Sequence, residues 1–291
     1  MMRMKKMIVF VAFLAAVALV SSANAALLHR YSFNGDANDS VGTANGTLMN
    51  GATISGGALV TAAGGSQWGG TGAYCALDPS AVSGINGAFT VEGWFQITNH
   101  WPPNSTLFSF TDDATVAAPG GSSASYFFGT PVQGDWNFWP CDTFVVGAGG
   151  AIQRPTWDAQ MTGNPPGSWG DDNQLHQLLT TYDGTTFTMY VDGVIANHVP
   201  TLSDAGFNLS SLTDIGLNGG NPYGDPALNG SQYDFRIYSG AVTADQVASV
   251  YALGSDASNS DINLAVVPEP STIALLVAGI FGLLFRRLRK R

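Results

Sequence analysis

Basic residues are scarce in the central part of this chain of 291 residues. Residues 26–266 contain no lysine and only three basic side chains, Arg30, Arg154 and Arg236, against 20 of the 21 acidic residues. The formal charge of this central part is therefore −17. Such a surface repels phosphate backbones, which excludes DNA and RNA as partners, whereas it is compatible with a multivalent cation.

Glutamate is equally scarce, since Glu92 is the only one between residues 26 and 266. Glycosidases need two carboxylates with separated pKa values, and here nearly all acidic residues are aspartates in turn-like sequence. The four histidines are scattered, and the sequence has no H-E-x-x-H, G-x-S-x-G or P-loop motif. We therefore expect a protein that is not an enzyme, with an atypical pair of aspartates in a polysaccharide hydrolase as the less favoured alternative.

The N-terminus has the three parts of a secretory signal peptide. Basic residues at positions 3, 5 and 6 precede the apolar run 7–20, and Ala23 and Ala25 supply the small residues of an A-x-A site. We predict a signal peptide over residues 1–25 with cleavage after Ala25. The sequence has two cysteines, Cys75 and Cys141. Because an exported protein meets oxidising conditions, we expect them to form one disulfide if their Cα atoms lie within about 7 Å.

The C-terminus is also tripartite. Pro268, Glu269 and Pro270 precede an apolar segment, 271–285, which is followed by the basic tail 286–291. A helix of that length spans about 22 Å, less than the roughly 30 Å of a bilayer core, so it suits a transient anchor with the basic tail in the cytoplasm. An ordinary tail anchor is the alternative.

This end resembles the PEP-CTERM sorting signal. The resemblance implies a Gram-negative bacterium in which an exosortase recognises the signal. The protein would lie in the inner membrane transiently and then reach the cell surface or the extracellular matrix.

The central part has the short, alternating apolar runs of an all-β protein. Residues 89–97 predict a long central strand with alternate residues on one face, and Trp94 on the other. Residues 175–199 predict a three-stranded meander with type I′ turns at Asp183-Gly184 and Asp192-Gly193. Thr243 can cap one short helix, and residues 254–266 are interpreted as a linker.

Five stretches in the same order resemble the laminin-G-like, concanavalin A-like jelly-roll family of exported bacterial proteins. They are residues 28–40, 89–95, 181–184, 190–193 and 234–238, the last with the helix that follows. The resemblance implies one domain over residues 26–253, an antiparallel jelly-roll sandwich with about six or seven strands in each sheet. The segment 129–170 is an insert with no clear counterpart.

The resemblance also bears on catalysis and metal binding. Enzymes of this fold usually carry a Glu-x-Asp-x-x-Glu strand, and the residues around Glu92 do not fit it. Family members often hold one structural Ca²⁺ where an early loop meets the last strand, which here implies Asp39 and Asp234. The alternative is that Asp36 and Asp39 only cap turns through Asx hydrogen bonds.

Tryptophans in Gly-rich and Pro-rich segments are the candidates for ligand binding, because sugars stack on exposed aromatic rings. These are Trp101, Trp136, Trp139, Trp157 and Trp169. They could instead cover the core of the insert. We expect non-catalytic binding of an extracellular polysaccharide or other glycan, with a structural or adhesive matrix protein that binds protein partners as the alternative.

Overall fold

The computed structural model describes residues 25–61, 72–97, 105–112, 125–130, 142–146, 152–153, 173–199, 207–219 and 226–267. Within this part of the chain there are fifteen strands and two α-helices. The strands are β1 Ala26–Tyr31, β2 Gly46–Met49, β3 Thr53–Ser55, β4 Ala58–Thr61, β5 Tyr74–Leu77, β6 Phe89–Ile97, β7 Phe108–Thr111, β8 Tyr126–Thr130, β9 Asp142–Val146, β10 Ile152–Gln153, β11 Leu175–Tyr182, β12 Phe187–Val191, β13 Val194–Val199, β14 Asp214–Leu217 and β15 Gly230–Ser239. The helices are α1, Ala244–Leu253, and α2, Asn259–Val266.

The strands form two antiparallel sheets, as the sequence predicts. Sheet A has eight strands in the order β13-β12-β11-β6-β15-β4-β3, with β1 paired to β15 beside this path. Sheet B has seven, in the order β10-β9-β8-β7-β14-β5-β2, so the expected number of strands is correct to within one in each sheet. The insert is part of sheet B, because β8, β9 and β10 continue its ladder.

Alternation along β6 explains how the sheets pack. Phe89, Val91, Phe95 and Ile97 face the main core between the two sheets, and the aromatic rings of this core include Phe108, Phe127, Phe187 and Phe235. Trp94, on the opposite face, stacks on Tyr251 of α1 with ring centroids 5.6 Å apart. The outer face of sheet A is thus covered here by a helix, and a second core contains residues of β1, α1 and α2.

The meander of β11, β12 and β13 is confirmed, but only one of its turns is of the predicted type. Asp192 and Gly193 both have positive φ, 48° and 75°, as a type I′ turn requires. Tyr182 pairs with Phe187, which leaves a four-residue loop whose Asp183 carboxylate accepts hydrogen bonds from the backbone N–H groups of Thr185 and Thr186. The side chain of Asp183 therefore organises that loop.

The predicted linker 254–266 is wrong, because α2 lies within it. Thr243 forms the predicted capping box with Gln246 at the start of α1, but the chain then folds back as α2. Ile262 and Val266 of α2 are buried in the second core. The compact unit therefore extends from Ala25 to Val266 rather than ending at residue 253.

The terminal segments 1–24 and 268–291 lie outside the described residues, as do the sorting residues Pro268, Glu269 and Pro270. Cleavage after Ala25 stays a prediction. Among the helices that the structure describes, none is both long enough and apolar enough to cross a membrane.

Cys75 of β5 is a free and fully buried cysteine, which does not favour the expected disulfide. Cys141 lies outside the described residues, but it immediately precedes β9. The strands β8, β7 and β14 separate β9 from β5. Four strand spacings of about 4.8 Å amount to roughly 19 Å between β9 and β5.

We expect Cys75 to be unreactive in the folded protein, because burial raises the pKa of its thiol to about 12. In the variant Cys141→Ser, a disulfide reagent at pH 8 should label the remaining thiol only after denaturant is added. The wild-type protein should show the intact mass of two reduced cysteines. Immediate labelling of the folded variant, or a wild-type mass lower by two hydrogens, would contradict the structure.

Candidate functional site

A buried polar network on the outer face of sheet A contains the single glutamate of the central part. Glu92 of β6 lies directly opposite Arg236 of β15, and their side chains form an ion pair with a 3.0 Å contact. Trp94 Nε1, Gln177 Nε2 and the Tyr238 hydroxyl also donate hydrogen bonds to the Glu92 carboxylate. Glu92, Arg236 and Tyr238 are all fully buried.

The network continues through Asp234 to Arg30 of β1. Asp234 accepts hydrogen bonds from Nε of Arg236, at 2.7 Å, and from Nε of Arg30, at 3.1 Å. The guanidinium of Arg30 donates in addition to the carbonyl oxygens of Ser255 and Ala257, and that of Arg236 to the carbonyl oxygens of Gly254 and Ser255. The two arginines therefore hold the segment between α1 and α2 against the sheet.

The chemistry of this network is that of a structural ion cluster. Burial alone would lower the pKa of Arg236, but the charges of Glu92 and Asp234 outweigh it and raise that pKa, so the guanidinium stays protonated. Both carboxylates are fully buried and already accept several N–H or O–H bonds. A substrate has no access to this pair, and a general acid or base needs such access.

The predicted calcium ligands Asp39 and Asp234 do not form a site that fits the ion. Asp39 accepts hydrogen bonds from the backbone N–H groups of Arg30, Val41, Gly42 and Ala44, and its Oδ2 lies 2.6 Å from Nδ1 of His29. Asp234 faces two guanidinium groups. A cation would meet positive charge and carboxylate oxygens that are already used.

The Asx alternative agrees with the contacts of the early loop. Asn38 N–H donates to Asp36 Oδ1, and Val41 N–H donates to Asp39 Oδ1. Among the described residues, no group of three or more His, Cys, Asp or Glu side chains could hold a metal ion. Calcium at Asp39 and Asp234 stays a prediction that these contacts do not favour.

The five candidate tryptophans lie outside the described residues, but the strands that flank them are described. Trp101 lies between the end of β6 and the start of β7, and Trp136 and Trp139 lie between the end of β8 and the start of β9. Trp157 and Trp169 lie between the end of β10 and the start of β11.

The end of β6 and the starts of β7, β9 and β11 lie with the end of β8 at one end of the sandwich, whereas the end of β10 pairs with Val145 toward the other end of β9. Within sheet A, Leu175 pairs with Gln96, and within sheet B, Phe108 pairs with Gly129 and Thr130 with Asp142. The two sheets meet there, since Asn218 N–H donates to Leu107 O and Leu228 N–H to Asn218 O. We call this end of the sandwich the tryptophan end.

Unpaired polar groups lie in the core at the tryptophan end. The side-chain amides of Asn218 and Gln232 are buried, and so is the hydroxyl of Thr106. In the described part of the chain, none of these three groups has a hydrogen-bond partner. Asn218 adopts a left-handed backbone conformation, with φ of 59°. Sequence reasoning missed this cluster, because neither amide lies in a motif and only the pairing of the strands brings them near Leu107.

Two substitutions on β15 should differ in their effect on the free energy of unfolding, because one removes a paired buried polar group and the other an unpaired one. Arg236→Met leaves Glu92 and Asp234 without their shared cation, so we expect a loss of about 3–5 kcal/mol in the free energy of unfolding. Gln232→Met removes an amide with no partner, so we expect a change within about 1 kcal/mol of wild type. Urea unfolding measures both. Equal losses in the two variants would contradict these assignments.

The Asp39 carboxylate should make stability depend on acid pH. Burial opposes its ionisation, but hydrogen bonds from His29 and from the N–H groups of Gly42, Arg30 and Val41 prevail and lower its pKa below 3.8. The stabilisation is therefore present above the unfolded pKa and is lost as pH falls through the folded pKa. Between about pH 5 and 2, the wild type should lose more stability than Asp39→Asn in urea titrations. Parallel curves would contradict this expectation.

Comparison with solved structures shows the same fold. Domain 4 of AbnA, an extracellular arabinanase from Geobacillus stearothermophilus solved with arabinotriose, is 20% identical with a TM-score of 0.53, over 77% of this chain and 98% of that one. The binding domain of Paraclostridial Mosquitocidal Protein 1 is 12% identical with a TM-score of 0.54, over 78% of this chain and 52% of its own. A structure of botulinum neurotoxin type C, whose cell entry is described as dependent on interaction with two ganglioside molecules, is 12% identical with a TM-score of 0.53. The match covers 79% of this chain and 51% of that one.

At these identities the likeness establishes the fold alone, and this chain spans about half the length of the two toxin structures. No curated protein matches the chain. The model of a laminin-G-like family of the concanavalin A-like lectin/glucanases superfamily matches residues 68–248, and that of the PEP-CTERM protein-sorting motif matches residues 266–290. The chain therefore belongs to the concanavalin A-like lectin/glucanases superfamily and carries a C-terminal PEP-CTERM sorting motif.

Proposed function

We propose that this protein is an exported, non-catalytic module that binds an extracellular carbohydrate at the cell surface or in the extracellular matrix of a Gram-negative-type bacterium. The sorting motif supports export through the inner membrane with the help of an exosortase. The observation that carries the binding proposal is the convergence of the flanking strand ends at the tryptophan end.

The outer face of sheet A near Trp94 is closed to a ligand. The outer face of sheet A is covered near Trp94 by α1, and its buried carboxylates are held by arginines. A polysaccharide therefore has no open groove at that place. The five tryptophans, whose rings are the best suited to stack on sugars, belong in the sequence to the connections β6–β7, β8–β9 and β10–β11.

The solved relatives support a carbohydrate as the ligand class. The arabinanase domain was solved with arabinotriose, and the botulinum neurotoxin type C structure is described with gangliosides. Non-catalytic binding also agrees with the closed environment of Glu92 and Asp234. Because fold alone does not fix function, the proposal depends on the tryptophans and must be tested on them.

The test is a polysaccharide and glycan array probed with purified residues 26–266, in Ca²⁺ and again in EDTA. We expect saturable binding to a defined glycan, and equal binding in both buffers, given the contacts of Asp39 and Asp234. Loss of binding in EDTA would revive the calcium prediction. If the folded protein binds no glycan in either buffer, the carbohydrate proposal is wrong and a matrix scaffold that binds proteins takes its place.

Matched variants locate the site. Trp136→Ala with Trp139→Ala should weaken glycan binding by about tenfold or more, since each stacked ring contributes on the order of 1 kcal/mol, and should leave the unfolding free energy close to wild type. Trp94→Phe is the control, because Trp94 donates to Glu92 and stacks on Tyr251 inside the domain. It should lower stability and leave affinity unchanged. The opposite pattern would place the ligand at the helix-covered face.

A further inference from the structure

The ion network determines what kind of carbohydrate the surface can accept. Of the three basic side chains between residues 26 and 266, Arg236 is fully buried and Arg30 is 6% exposed. Each is bound to a buried carboxylate and to backbone carbonyl oxygens of the segment between α1 and α2. Their guanidinium groups are therefore not available to an outside ligand.

The charge that remains is almost entirely negative. By composition, residues 26–266 hold one further basic residue, Arg154, which lies outside the described residues, and 18 acidic residues besides Glu92 and Asp234. Proteins that bind carboxylated or sulfated polymers do so through arginine and lysine, which pair with the anionic groups. With so few basic residues against so many acidic ones, the central part as a whole repels a polyanion.

We propose that the ligand of this protein is an uncharged polysaccharide, and that uronic-acid and sulfated polymers are excluded. This inference rests on the proposed carbohydrate binding and specifies its ligand class. It does not depend on which connection makes the contact, because basic residues are scarce throughout residues 26–266. Stacking on aromatic rings and neutral hydrogen bonds, which need no cation, are the interactions left for recognition.

The experiment compares glycans that differ in charge alone. The array contains uncharged polysaccharides, uronic-acid polymers and sulfated polymers, and the best ligand is then oxidised at its primary hydroxyls to carboxylates, or sulfated. Affinities of residues 26–266 for the native and the charged form are measured by calorimetry at 50 mM and 500 mM NaCl.

We expect the native ligand to be uncharged and its affinity to change by less than about twofold with salt, since no ion pair is formed. The charged form should bind at least about tenfold more weakly at 50 mM salt and should recover in part at 500 mM, because salt screens the repulsion. A partial recovery distinguishes charge repulsion from a simple steric clash.

The outcomes separate this inference from the proposed function. Tight binding of a uronic-acid or sulfated polymer, weakened by salt, overturns the inference while carbohydrate binding stands. A charged derivative that binds as well as the native ligand also overturns it. If no polysaccharide binds, both proposals are wrong.

Discussion

The ion pair between Glu92 and Arg236 is the interaction on which the outer layer of this domain depends. A buried carboxylate costs several kcal/mol unless a cation and hydrogen-bond donors surround it, and here β6, β11 and β15 supply them together. Asp234 extends the pair to Arg30, so the first strand of the domain joins the same cluster. The cluster then holds the backbone that leads into α2.

The network links sequence ends that are far apart. Leu27 N–H donates to Asn263 Oδ1 of α2, and Arg30 reaches Asn259 of the same helix. The first strand thus needs the last helix to satisfy its polar groups, and the last helix needs the first strand to be held in place. Folding of the outer layer is therefore complete only when both ends of residues 25–266 are present.

The sequence predicted the strands well, since β6 and β11 have the predicted bounds and the Asp192-Gly193 turn has the predicted type. Alternation and turn residues are local signals, and local signals suffice for such elements. It did not predict α2, because Ser, Asn and Asp dominate residues 254–263 and the helix is stabilised by burial of Ile262 and Val266. That contact is not visible in a local pattern.

The candidate site was predicted in part. The tryptophans were selected one by one from their Gly-rich and Pro-rich surroundings, and they lie outside the described residues. Only the register of both sheets brings together the strand ends that flank Trp101, Trp136 and Trp139. Asp39 and Asp234 were selected as metal ligands because the resemblance to the jelly-roll family implies a Ca²⁺ ion where an early loop meets the last strand. In the folded chain backbone N–H groups and arginines use their carboxylate oxygens, and such partners come from residues as distant as Arg30 and Asp234.

The position of α2 sets how far the domain can be shortened from its C-terminal side. The sorting motif begins at residue 266, and Val266 is fully buried while its carbonyl oxygen accepts a hydrogen bond from Gln246. Ile262 and Val266 both belong to the second core, so a cut upstream of Val266 would remove part of that core. A protein that keeps its core intact must therefore keep the first residue of the sorting motif.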